Sequence, residues 1–171
     1  MSGVRCQVIG DRNAASGGGA YSSSVILFDF EVDSAVLARD GRRATAEVSL
    51  GELEQELFDM PVSLSVDGVV LLDHRRIPIY YLALEVDRVR QLPVEGEVDI
   101  QPPGGAYLRL RWEDGAAEVE SLRETWISAL ADYSELLNAW EEFAKKVRGF
   151  FLEHFPSVAE HRRIGKWLRE G

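Results

Sequence analysis

Residues 132–154 read DYSELLNAWEEFAKKVRGFFLEH, and this stretch decides the class of fold. Within it Tyr133, Leu137, Trp140, Ala144, Val147 and Phe151 recur at spacings of four, three, four, three and four. Side chains three and four apart share one face of an α-helix, so these six form a single apolar seam. Phe143 and Phe150 lie beside the seam and widen it. The spacing predicts a helix from about Asp132 to His154, ended at Pro156. Ser157-Val158-Ala159-Glu160 has the spacing of a capping box and predicts a short final helix.

Upstream, the period is that of strands. A first strand is expected at Val4–Ile9, and the glycines of the following Asp11–Ala20 favour a mobile connection. Ser23–Asp33 reads as a strand in which Phe28, Phe30 and Val32 alternate with Asp29, Glu31 and Asp33. Asp40-Gly41 is a hairpin signal leading into a strand at Ala44–Val48. Ser49-Leu50-Gly51-Glu52 is a second capping-box spacing, predicting a helix over Leu50–Phe58 that Pro61 closes. Leu53, Leu57 and Phe58 are its candidate buried residues. Val62, Leu64 and Val66 alternate with serines up to Asp67-Gly68, which turns the chain into Val69–Asp73.

Pro78 suits the first turn of a helix running to about Gln91, with Ile79, Leu82, Ala83, Val86 and Val89 as its stripe. Gly96–Ile100 predicts a short strand before the Pro102–Gly105 turn. In Ala106–Trp112, Leu108, Leu110 and Trp112 point one way while Tyr107, Arg109 and Arg111 point the other. Glu113-Asp114-Gly115 then turns the chain into Ala116–Leu122. Strands first and helices last is the α+β signature. The expectation is one domain over 1–171, mainly antiparallel sheet packed against a long C-terminal helix and two shorter helices. Residues 1–125 supply the strands and two helices, and residues 132–169 the helical part.

Composition bounds the setting. The 171 residues are 46% hydrophobic and 28% charged, which suits a single globular core. The longest apolar runs, Val25–Phe28, Val69–Leu72 and Ile79–Leu84, are too short to span a bilayer. Met1–Cys6 lacks the apolar region of a secretory signal, and one cysteine permits no intrachain disulfide. A reducing cytoplasm is the expected location. The net charge is −10, unevenly spread. Residues 1–137 hold 12 Lys/Arg against 24 Asp/Glu (−12), whereas residues 138–171 hold 7 against 5 (+2). An acidic body repels phosphate and disfavours duplex nucleic acid, and it attracts a basic protein.

Five features are candidates for chemistry or binding. Gly17-Gly18-Gly19 lacks the Lys-Ser or Lys-Thr of a phosphate loop and reads as a hairpin loop. The three histidines, with His154 and His161 seven apart across Pro156, form no metal spacing, and no cofactor motif is present. Asp73-His74-Arg75-Arg76 is a polar turn in which Asp73 can orient His74 as a base beside an arginine that holds an anion; a plain surface turn looks the same. Asp29, Glu31 and Asp33 form an acidic strand face, either a docking patch for a cationic partner or a solvated sheet face. Arg109 and Arg111 share a strand face with Tyr107, and cross-strand pairing with Glu118 and Glu120 explains them better than stacking on nucleic-acid bases.

The strand Phe28–Asp33, the strand-to-acidic-helix run Ala44–Glu54 and the two later hairpins, including Ala106–Trp112, together resemble small bacterial immunity proteins of polymorphic toxin systems. The style is nearest to those paired with wall-associated toxins. The resemblance covers about two thirds of the chain by pattern and carries no functional motif, so it assigns no residue a role. It implies a stoichiometric inhibitor that plugs a toxin's active site. The leading expectation is therefore a toxin-neutralising protein-binding module, with Asp29, Glu31, Asp33, Phe143 and Phe150 as contact residues. The alternatives are an oligomerising accessory subunit that uses the aromatic helix, and a small enzyme centred on Asp73, His74 and Arg75.

Overall fold

A computed structural model of the chain describes residues 23–44, 58–103, 105, 107–123, 127–161 and 164–170. Strand β1 (Ile26–Phe30) leads into helix α1 (Ser34–Ala44), and β2 (Asp59–Val66) and β3 (Val69–Pro78) form a hairpin. Helices α2 (Ile79–Leu84) and α3 (Val86–Glu95) follow, then β4 (Glu97–Ile100), β5 (Leu108–Glu113), β6 (Ala116–Ser121) and β7 (Ser128–Asp132). The chain closes with α4 (Tyr133–His154), a 3-10 turn (Pro156–Glu160) and α5 (Ile164–Glu170). The strands make two antiparallel sheets, ordered β1-β2-β3 and β4-β5-β6-β7. The α+β class read from the sequence holds, with the strands shared between two sheets.

Helix α4 organises both sheets. Its start is fixed by Asp132, the last residue of β7, whose Oδ1 accepts the Glu135 amide at 3.1 Å. Of the expected seam, Trp140, Ala144, Val147 and Phe151 are buried and Tyr133 and Leu137 half-buried; Leu136, Phe143 and Phe150 complete the buried face. Phe143 stacks on Phe28 of β1 with ring centres 4.0 Å apart, and Phe30 meets Phe143 and Phe150 edge-on. On β2 the alternation is complete: Met60, Val62, Leu64 and Val66 face the core, and the intervening residues are half-buried. Leu108, Leu110 and Val119 bring the second sheet into the same core.

The β2–β3 hairpin turns as its Asp67-Gly68 pair requires. Asp67 has φ +48° and Gly68 φ +84°, the two left-handed residues of a tight hairpin turn. Val66 faces Val69, and Ser65 faces Val70. The second hairpin also forms as read, with Leu110 opposite Val119 and Trp112 opposite Ala117.

Several local expectations fail for reasons that lie elsewhere in the fold. Asp40-Gly41 makes no hairpin; both sit inside α1. Asp33 starts that helix, its Oδ1 accepting the Ala35 amide at 2.9 Å. A Cβ at Gly41 would stand 3.3 Å from Cε1 of Phe155, so this glycine allows the helix close to the C-terminal segment. Residues 45–48 of the expected strand lie outside the described residues, as do Val4–Ile9, the glycine run and residues 50–57 of the expected second helix. Phe58 is buried but left-handed (φ +68°) rather than helical. Pro61 lies within β2, where its carbonyl takes the Glu31 amide just past the end of β1. The missing proline donor therefore falls where the neighbouring strand stops.

The helix expected over Pro78–Gln91 is two helices. In a continuous helix the Leu82 carbonyl would accept from Val86; instead it takes the Glu85 amide at 3.3 Å and the buried Trp140 indole N–H at 3.0 Å. The break leaves the Glu85 carboxyl half-buried, and burial pushes its pKa above the usual carboxylate range. Strand β7 has no counterpart among the expected elements, and the strand expected over Ser23–Asp33 is ordered as β1 only from Ile26 to Phe30.

This packing makes two stability predictions. Trp140→Ala removes a fully buried ring and the hydrogen bond to Leu82, and should cost about 3–5 kcal/mol in urea unfolding. Glu85→Gln should raise the melting temperature at neutral pH. A carboxyl whose folded pKa lies above its unfolded one favours folding below the unfolded pKa and opposes it as pH rises through the folded value. The gain from Glu85→Gln should therefore vanish in acid.

Candidate functional site

Two of the sequence's candidates meet at one end of the first sheet. Residues Asp73–Arg76 are not a turn between elements. They lie within β3, where register shifts against β2 between Val62 and Ser65 let the polar run pair as a strand. His74 itself adopts φ +45° and donates its backbone N–H to Ser63 Oγ at 3.3 Å. That conformation turns its ring toward β1's continuation, with Nδ1 3.4 Å from Glu31 Oε1 and Nε2 3.8 Å from Asp73 Oδ1. Arg76 pairs with Asp33 and also donates to the Asp59 carbonyl at 3.2 Å. Beside them lies an open hollow of about 460 Å³, lined by Asp33, Ala35, Val36, Arg39, Asp59 and Arg76.

The three carboxylates of the acidic stretch have separate tasks. Asp29 pairs with Lys146 of α4 and accepts the Phe30 amide at 2.8 Å, tying β1 to the helix. Glu31 faces His74, and Asp33 both starts α1 and holds Arg76. The Arg76 hydrogen bond, backed by the Ala35 amide, lowers the Asp33 pKa below its usual value. The side chains of His74, Glu31 and Asp73 are all more than half exposed. The arrangement is thus a polar surface open to water. Among the described residues no three His, Cys, Asp or Glu side chains group as a metal site.

Phe143 and Phe150 are not surface anchors. Both are buried under β1, and a partner reaches neither without opening the core.

The outer faces of the two sheets differ sharply. On the second, Arg109 holds Asp99 through Nε at 2.7 Å and Nη2 at 3.3 Å. Arg111 reaches Glu97 at 3.0 Å, Glu118 at 3.2 Å and Glu120 at 3.1 Å. Each of these four carboxylates therefore touches a guanidinium, and the cross-strand pairing read from the sequence is present. On the first sheet the register aligns Leu27, Ser65 and Val70 in one row, with Val25 one pleat along. Val25, Leu27 and Val70 are 57%, 41% and 49% exposed. Asp67, Glu31 and Asp73 flank this row, and none of the three pairs with a Lys or Arg among the described residues. The signal for Val25 and Leu27 lies in the alternation, which puts them on the same strand face as Asp29 and Glu31; Val70 lies in an apolar run that carries no such mark.

The Asp33–Arg76 pair predicts an acid limb. Its contribution is present above the unfolded carboxylate pKa and is lost as pH falls through the lowered folded value. Asp33→Asn keeps an acceptor for the Ala35 amide but removes the charge. Its destabilisation in urea should be largest near neutrality and should close below about pH 4.

The chain matches no protein-family model, no curated protein and no solved structure.

Proposed function

We propose that this chain is a protein-binding module of the bacterial cytoplasm, an immunity protein that neutralises a cationic toxin by stoichiometric binding. One observation carries the reading: residues 1–137 hold 24 Asp/Glu against 12 Lys/Arg, and Asp67, Glu31 and Asp73 on the first sheet have no Lys or Arg partner among the described residues. Carboxylates without such partners on an acidic body make a negative field, and such a field steers a basic protein into encounter. The pattern-level resemblance to toxin-immunity proteins points the same way and supplies the class of partner. Tight neutralisation then needs a few buried anchors at the contact, with charge setting the rate of arrival.

The other readings have less behind them. The aromatic helix that would serve an oligomerising subunit spends its seam inside the chain, leaving Leu152 as its exposed large apolar side chain. The group Asp73, His74 and Arg75 stands on an exposed strand, with the His74 ring open to water on one side.

The test is binding to the C-terminal toxin domain of a secreted protein encoded next to this chain. A one-to-one complex is expected, with an association rate that falls at least tenfold between about 10 mM and 500 mM salt as the Debye length shrinks. A complex whose association rate ignores salt contradicts electrostatic steering. A tight homo-oligomer in sedimentation, with no affinity for the toxin domain, contradicts the whole reading.

A further inference from the structure

The first sheet's outer face carries a feature that the second sheet's lacks. Leu27 of β1 and Val70 of β3 flank Ser65 in one register row, Val25 extends the apolar strip, and all three side chains stand in water. Half-buried antiparallel strands normally turn polar residues outward. The second sheet does so at Arg109 and Arg111, set among four acidic partners, and among its described residues exposes a single large aliphatic side chain, Leu130, opposite Glu118. Grouped aliphatic side chains rimmed by charge are a surface shaped for contact.

Charge names the occupant. Asp67 lies at the turn end of the strip, and Glu31 and Asp73 lie at the other end, without a Lys or Arg partner among the described residues. A second copy of this chain would set those carboxylates against carboxylates, which is unfavourable on close approach. A partner segment with Lys or Arg on either side of an apolar centre satisfies both the strip and its ends. We infer that the outer face of β1-β2-β3, centred on Leu27, Ser65 and Val70, is the docking surface for a basic protein segment with an apolar centre. The inference rests on the reading of the chain as a binder of cationic proteins, and it deepens that reading by assigning the face.

The experiment is amide NMR mapping on the full chain, with the peptide Lys-Val-Lys-Val-Lys-Val-Lys as probe and Glu-Val-Glu-Val-Glu-Val-Glu as control. The basic peptide is expected to shift amides of residues 25–31 and 63–70 and to leave 109–120 unmoved. The double variant Leu27→Ser, Val70→Ser should bind it about tenfold more weakly while its amide spectrum away from this face stays that of the parent, showing that it remains folded. Shifts on the Arg109–Arg111 face, or undiminished affinity of the double variant, overturn the docking surface while leaving a cationic partner in place. Equal binding of the acidic and basic peptides overturns the underlying reading as well. Self-association that the double variant abolishes makes the occupant a second copy and overturns the inference.

Discussion

The contact of helix α4 with strand β1 is the constraint from which the rest of the architecture follows. Phe143 stacks on Phe28, Phe150 and Phe143 receive Phe30, and Lys146 closes over the edge of the strand onto Asp29. A strand of five residues has little stability of its own. Clamped by aromatic rings on its inner face, β1 becomes a fixed edge for β2 and, through it, for β3. The same helix places the Trp140 indole on the Leu82 carbonyl, which ends α2 and re-aims the chain toward the second sheet. One helix thereby sets both the position of the first sheet and the route to the second.

That clamp also explains which face of the first sheet is left for other work. With Ile26, Phe28 and Phe30 committed inward, the alternation of a strand sends Val25, Leu27, Asp29 and Glu31 outward. Asp29 returns to Lys146, but Leu27 and Val25 have no such recourse. On the second sheet the outward positions of β5 and β6 are long, charged and paired across strands, with Leu130 of β7 the exposed aliphatic exception. The contrast between the two faces is thus a consequence of which residues the core claimed.

Much of this is legible in the sequence wherever the signal is local. The extent of α4 and most of its seam are set by spacing within one helix, and Asp67-Gly68 and Glu113-Asp114-Gly115 fix hairpin register within a few residues. Register is also why Arg111 can be assigned to Glu118 and Glu120. What escapes depends on distant partners. Gly41 sits inside α1 and close to Phe155, a neighbour over a hundred residues on. The break at Glu85 is imposed by Trp140, 58 residues from Leu82. Strand β7 reads Ser-Ala-Leu-Ala-Asp, without a β-branched or large aromatic residue to announce it. The site follows the same rule. The acidic stretch and the Asp73–Arg76 run are both visible, but their meeting through Glu31–His74 and Asp33–Arg76 belongs to the sheet register. From the sequence Phe143 and Phe150 suit a core as well as a contact surface, because their cover, β1, is remote in it.

The distinction between the faces is one of pairing: Glu31, Asp67 and Asp73 on β1-β2-β3 have no Lys or Arg partner among the described residues, whereas Glu97, Asp99, Glu118 and Glu120 on β4-β5-β6 each touch one of two arginines. The most direct measurement is the near-surface potential at individual amides, from paired relaxation enhancements by a cationic and an anionic nitroxide. A distinctly more negative potential is expected at Ser63, Ser65 and Val70 than at Arg109, Arg111 and Glu118. Equal potentials on the two faces, or a more negative second sheet, would contradict it.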